Sequence, residues 1–270
     1  MESHWVESDD SLQLRSAHHT GCWSLRWTGS VPGLYWANIS GQPATGPILG
    51  VSGIAAEGYL EPVELTSKNL TQLEVVKNRV DLYYHPESWH ETQIRLSWWP
   101  SGQDQFDLMT EISTRSVGML KAVELCIYTT LSQWKESDGK WFEAFRDQEA
   151  AMRSTDGRDA SWFNSQSVFQ PEDTESNLYK INSWLPVLLV GSSGHPKILK
   201  TTHPDDISRR YRDFGCQSLR TWTFGYDMER GVVFRGRHRC RLVQNHEIVN
   251  SNSVQLWQNE FISEPLPLFR

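Results

Sequence analysis

The sequence predicts an all-β protein, a large antiparallel β-sandwich with one or two short helices. Three observations carry that expectation. Runs rich in β-branched and aromatic residues recur along the chain. Turn chemistry separates them, and the longest runs alternate residue types with the two-residue period of a strand. No linker, internal repeat or low-complexity tract is visible, so residues 1–270 are expected to form a single domain.

Taken in chain order, Val31–Gly53 is rich in Gly and Pro and is expected to be irregular. Val75–Tyr83 and Gln93–Trp99 read as strands, the second ending at the turn Pro100–Gln103. Phe106–Thr114 and Leu120–Leu131 read as a hairpin closed at Arg115–Met119. Good helix formers in Glu143–Arg153 predict about three helical turns. The polar segment Ser154–Ser176 is expected to be an excursion over the sheet. Trp184–Val190 is an apolar run of strand length, and Asp205–Arg212 is expected to be a second short helix. Leu219–Tyr226 and Val232–Val243 read as another hairpin, closed through Asp227–Gly231.

Composition narrows the function. A 38% hydrophobic content supports a substantial core, and 22% charged residues of mixed sign exclude a disordered chain. The net charge of −7 argues against a nucleic-acid partner. No run approaches the ~18 apolar residues of a membrane span, and MESHWVESDD has no secretory pattern, so a cytoplasmic location is expected. Cys22, Cys126, Cys216 and Cys240 lack metal-ligand spacing, and free buried thiols are expected, with no metal and no cofactor. Thirteen tryptophans fill the core in the first instance, although an exposed Trp is also a stacking platform for a sugar ring. Trp98 and Trp99 are adjacent on a strand, so one of them is expected to point away from the core.

The sharpest chemical feature is the run GVVFRGRHRCRL, where Arg235, Arg237, Arg239 and Arg241 occupy alternate positions and so share one face of a strand. Such a row repels itself unless carboxylates or an anionic ligand neutralise it. Two readings follow: a fork-like recognition surface for a carboxylate, sulfate or phosphate, or a cross-strand ion-pair lattice with Asp107, Glu111 and Glu124. A second cluster, Tyr83 to Glu91, holds His85 and His90 beside two tyrosines, two glutamates and Trp89. Histidine is the natural base near neutral pH. The alternative is a polar loop between strands. His203, followed by Asp205 and Asp206 and then Arg209, Arg210 and Arg212, is a third candidate base, or a simple helix start. Glu111 and Glu124 are expected on adjacent strands and one polar face, either as a catalytic carboxylate pair or as arginine partners. No phosphate loop, nucleophile elbow or zinc-protease helix is present.

The segments FDLMTEISTRSVGMLKAVELCIYTTL (106–131) and LRTWTFGYDMERGVVFRGRHRCRL (219–242) resemble the long antiparallel strands of the galactose-mutarotase-like β-sandwich, the supersandwich superfamily. The likeness covers about fifty residues. It implies carbohydrate handling on the concave face of the larger sheet. His85-Pro86, His195-Pro196 and His203-Pro204 do not reproduce the family's histidine motifs, so no catalytic residue carries over.

The expected function is therefore a carbohydrate-active protein that acts on or binds a sugar or sugar acid on a concave sheet face. Proton abstraction of the epimerase or lyase type would use His85, His90 or His203 as base. Arg235, Arg237, Arg239, Glu111, Glu124, Trp98 and Trp99 would contact the substrate. The alternative is a non-catalytic sandwich that binds an anionic glycan or a protein partner.

Overall fold

The structure is a computed structural model that describes residues 4–8, 10–15, 22–29, 31–37, 46–57, 63–87, 89, 91–130, 134–136, 178–180, 186–191, 197–213, 218–243 and 251–265. Within them the chain is an antiparallel two-sheet sandwich, as the residue alternation requires. The strands are β1 (His4–Ser8), β2 (Ser11–Arg15), β3 (Cys22–Arg26), β4 (Gly33–Ala37), β5 (Leu49–Ala55), β6 (Val63–Glu64), β7 (Leu70–Val76), β8 (Arg79–Tyr84) and β9 (Thr92–Gly102). They continue as β10 (Gln105–Thr114), β11 (Leu120–Thr130), β12 (Trp134–Glu136), β13 (Leu178–Lys180), β14 (Val187–Gly191) and β15 (Lys197–Thr202). The last are β16 (Ile207–Asp213), β17 (Ser218–Met228) and β18 (Val233–Val243), followed by helix α1 (Ser251–Ser263).

A ten-stranded sheet runs β1-β2-β3-β4-β5-β11-β17-β16-β13, with β6 on β5. An eight-stranded sheet runs β12-β14-β15-β18-β10-β9-β8-β7. The facing sides bury Trp23, Leu25, Leu34, Ile54, Leu125 and Ile127 from the first sheet. Leu82, Ile94, Trp98, Phe106, Leu108 and Ile112 come from the second. Burial of each such side chain contributes about 1.5–3 kcal/mol. Trp23 and Phe106 meet across the core with ring centroids 4.4 Å apart. Trp98 donates its indole N–H to Leu49 O at 3.2 Å, also across the sheets. Cys126 and Cys240 are free and buried, as expected; the side chains of Cys22 and Cys216 lie outside the described residues.

Both expected hairpins are instead crossings between sheets. β10 pairs with β18 and not with β11, and β11 pairs with β17, so Arg115–Met119 and Glu229–Val232 carry the chain from one sheet to the other. Links of four or five residues span the ~10 Å between packed sheets, and Gly118 and Gly231 supply the positive φ that the bends need. The two crossings lie side by side: Gly231 donates its N–H to Thr114 O at 3.2 Å, and Ala122 donates to Asp227 Oδ1 at 3.0 Å. Composition alone cannot separate a hairpin from such an arch, because both need an apolar face and a short turn.

Other elements also differ from expectation. Val75–Tyr83 is not one strand: it turns at Lys77–Asn78, with Lys77 at φ 57°, and Val75 lies opposite Val80. Asp205–Arg212 is no helix: a short 3-10 turn over Pro204–Asp206 leads into β16, whose long side chains fit both faces of a paired strand. Val31–Gly53 holds β4 and most of β5. The N-terminal strands β1 to β3 and helix α1 are not among the elements expected from the sequence. Glu143–Arg153 and Ser154–Ser176 lie outside the described residues. Among those residues no helix is long and apolar enough to cross a membrane.

Candidate functional site

The arginine row occupies the outer face of the eight-stranded sheet. Gly236, His238, Cys240 and Leu242 turn inward, as the alternation demands. Register places Glu111 opposite Arg235 and Asp107 opposite Arg239. Arg235 donates to Glu111 at 2.8 Å in an exposed pair. Arg239 is buried and donates from Nε and Nη2 to both oxygens of Asp107, at 2.6 and 2.7 Å. It also reaches Glu264 through Nη1 at 3.0 Å and Nη2 at 2.5 Å. Burial works against the Arg239 charge, and the hydrogen bonds of Asp107 and Glu264 override it, raising the guanidinium pKa above its ordinary value.

Arg237 points at the end of α1. It donates to Phe261 O at 3.0 Å and Glu264 O at 2.9 Å, the carbonyls that a helix C-terminus leaves unpaired. Arg237 and Arg239 each place Cζ 4.8 Å from the centre of the Phe261 ring. Val254, Trp257, Gln258 and Phe261 form the buried face of the helix, and Trp257 donates to Gln105 Oε1 at 2.8 Å. The inner part of the arginine row is thus a seat for α1, held by an ion-pair lattice. Glu124 takes no part in it, because β11 belongs to the other sheet; Glu111 and Glu124 are not neighbours on one face.

The remaining residues singled out from sequence are scattered. Trp98 is fully buried in the core, whereas Trp99 is half-buried on the outer face, so the two do point oppositely. His85 is exposed just after β8. His203 precedes the 3-10 turn beside Arg237 and the Phe261 ring. Burial first and Arg237 second lower its pKa. β15 and β8 stand four strands apart in their sheet, about 19 Å at the usual strand spacing, so His85 and His203 do not converge. His90 lies outside the described residues.

A second constellation lies on the outer face of the ten-stranded sheet. Glu124 is buried, with Oε2 accepting from Arg209 Nη2 at 2.6 Å and Oε1 accepting from Ser208 Oγ at 2.6 Å. Burial raises the Glu124 pKa, opposed by Arg209 and Ser208. The Arg209 guanidinium lies over the half-buried Trp222, 4.8 Å from the ring centre. Further along the face come half-buried Tyr128 and Arg220, then Tyr35 with the Arg26 guanidinium 4.6 Å from its ring centre. Backbone irregularity is concentrated here. The β11–β17 register shifts between Leu120 and Val123 and again before Glu124. Ala122 lies at φ 48°, with Phe224 and Gly225 both at φ 76°. The bulge turns Phe224 into the core and leaves Gly225 beside Ser208, where an added Cβ would sit 2.8 Å from Oγ. A non-glycine residue held in the left-handed region is strained, and such strain and bulges concentrate next to binding and catalytic sites.

Glu124 was singled out from sequence, but its partners were not. In the sequence Arg209 follows a would-be helix start, and Trp222, Ser208, Tyr128, Arg220, Tyr35 and Arg26 carry no spacing signal. They meet only because β3, β4, β11, β16 and β17 share a sheet.

No protein-family model matches the sequence, and no curated protein matches it. Among solved structures, the chain is similar to the GalM/aldose epimerase homologue from C. elegans, with a TM-score of 0.47 and 8% identity over 90% of this chain and 99% of that one. It is also similar to heparan sulfate lyase HepC from Pedobacter heparinus (TM-score 0.36, 9% identity, 92% of this chain and 37% of that one). YidC from Thermotoga maritima matches with a TM-score of 0.35 and 7% identity, over 91% of this chain and 52% of that one. The chain thus spans about half the length of YidC and little more than a third of the lyase. At these scores the likeness assigns neither an activity nor a residue to this chain.

Proposed function

We propose that this protein handles a sugar or sugar acid on the outer face of the ten-stranded sheet, with Glu124 as the central polar group. The observation that carries this reading is the Glu124 carboxylate, fixed by Arg209 and Ser208 next to half-buried Trp222 at a strained bulge. Trp222 offers an apolar ring face to a pyranose, and Tyr128, Arg220 and Arg26 offer donors to hydroxyls or a carboxylate. A carboxylate whose proton affinity is raised by burial is a competent base for abstracting a proton from a sugar carbon or hydroxyl, as an epimerase or lyase requires. Glu124 here takes the base role that the sequence offered to His85, His90 and His203. Arg235, Trp99 and Glu111 remain candidates for a separate contact on the opposite sheet.

Glu124→Gln is expected to lower turnover of a responsive sugar at least ~100-fold while thermal stabilisation by that sugar persists. Monosaccharides and uronic acids, screened by thermal shift and then by polarimetry and ultraviolet absorbance, supply the substrate. A specific observation also favours the non-catalytic alternative: both Glu124 oxygens already accept hydrogen bonds. Saturable sugar binding that Trp222→Ala abolishes, without turnover at any pH, would establish that alternative. Absence of binding by every sugar class would remove both.

A further inference from the structure

Between the sheets, at the β15–β18 end, polar and titratable side chains enter the interior. β15 turns Ile198, Lys200 and Thr202 inward, opposite Leu242, Cys240 and His238 of β18. Lys200 reaches across the core and donates from Nζ to Thr129 Oγ1 on β11. The titratable groups whose charge bears on it are Cys240 and His238 of β18, Arg210 of β16 and, from the outer side of β11, Cys126. His238 is fully buried, with Nδ1 bonded to Thr202 Oγ1 at 3.1 Å and no hydrogen-bond partner on Nε2. Among the described residues, no carboxylate faces either Lys200 or His238.

A lysine in such a place is poorly served as an ammonium ion. Burial, first of all, and then the Arg210 charge push its pKa down to about 7, so much of it is a free amine at neutral pH. Burial holds His238 neutral, reinforced by Lys200 and Arg210. Burial also pushes Cys240 up to about 12 and Cys126 up to about 11, so neither thiol supplies a counter-charge. The cluster therefore combines an amine that is partly unprotonated at neutral pH, the nearby Arg210 guanidinium and an unsatisfied ring nitrogen. Each of these favours an anion attached at Nζ.

We propose that Lys200 is a carbamylation site, taking up carbon dioxide to form a carbamate that faces Arg210 and His238. The Nζ lone pair forms the N–C bond, one C=O electron pair moves onto oxygen, and the proton released from Nζ leaves to solvent. The product exchanges a disfavoured cation for an anion, and its oxygens accept hydrogen bonds from Arg210 and from the Nε2–H tautomer of His238. Exclusion of water slows the acid-catalysed reversal. Because the site is closed, uptake proceeds through local opening of the sandwich or during folding. The modification bridges β15 and β18 of one sheet to β16 of the other, so bicarbonate is expected to stabilise the protein specifically.

The test is carbon-13 NMR of the full chain equilibrated with labelled bicarbonate at mildly alkaline pH. A slowly exchanging carbamate resonance is expected, lost on acidification and absent from Lys200→Met. Bicarbonate should raise the melting temperature of the wild type above that in chloride of equal ionic strength, and not that of Lys200→Met. Trapping the wild-type carbamate with an alkylating oxonium salt, then peptide mass mapping, locates it without any variant, so poor folding of Lys200→Met does not block the test. No carbamate in the wild type, or a carbamate mapped to another amine, overturns the proposal.

Discussion

Replacing Asp107 by Asn is expected to destabilise the protein by about 3–5 kcal/mol, because it leaves the buried Arg239 charge without its principal partner. The carboxylate accepts two charged hydrogen bonds from Arg239, at 2.6 and 2.7 Å, and a third from Ser101 Oγ at 2.7 Å. The amide keeps the volume, so the loss reports charge and not a cavity. Glu264 cannot compensate fully, since its side chain is about half exposed and its pairing is screened by solvent. The same lattice seats α1, so release of the helix should accompany the loss. Urea unfolding measures the first effect, and limited proteolysis after residue 243 measures the second. The exposed pair Arg235–Glu111 is the internal control, with an expected cost of about 0–1 kcal/mol for Glu111→Gln. If Asp107→Asn costs no more than this control, Arg239 does not depend on the buried pair.

Lys200→Met is expected to act in the opposite direction and with pH. The Lys200 pKa falls from an ordinary 10.5 to about 7 in the folded protein. Between these values the unfolded chain binds the extra proton, so folded-state stability rises with pH across that window. Below about pH 7 both states are protonated, and the full penalty of the buried ammonium remains. At about 1.4 kcal/mol per pKa unit the penalty is of order 3–5 kcal/mol. Loss of the hydrogen bond to Thr129 returns about 1 kcal/mol of it. In buffers free of carbon dioxide, Lys200→Met should therefore be the more stable protein at neutral pH, with the difference shrinking toward pH 10.5. Unfolding curves at several pH values decide it, and parallel stability profiles for the two proteins would contradict the shift.

Alternation is a local property, and it made the strands legible. In β18 it separated arginines from Gly236, His238, Cys240 and Leu242, and it divided Trp98 from Trp99. It also allowed Asp107 and Glu111 to be named as partners of the arginine row, since opposite charges at two-residue spacing on paired strands meet directly. Helix α1 was missed, although one face of it carries a helical spacing. Val254, Trp257, Gln258 and Phe261 follow the spacing of one helical face, with Phe261 placed to lie between two guanidiniums.

Which strands belong to which sheet was not legible, and this decided the candidate site. A short link after an amphipathic strand serves a hairpin or a crossing equally well. The difference lies in whether the next strand finds its partner beside it or across the core. Because β10 pairs with β18 and β11 with β17, Glu111 faces Arg235 while Glu124 meets Arg209, Ser208 and Trp222 on the opposite face of the molecule. Sequence by itself determined the all-β class, the two-faced strands and the need to neutralise a row of arginines, because these depend on side-chain periodicity and charge. Tertiary structure alone decided that α1 sits on that row, that Lys200 lies between the sheets without a carboxylate among the described residues, and that Glu124 stands in an aromatic and cationic setting. Those facts arise from contacts between strands far apart in the chain, and no local pattern encodes which distant strand a given face will meet.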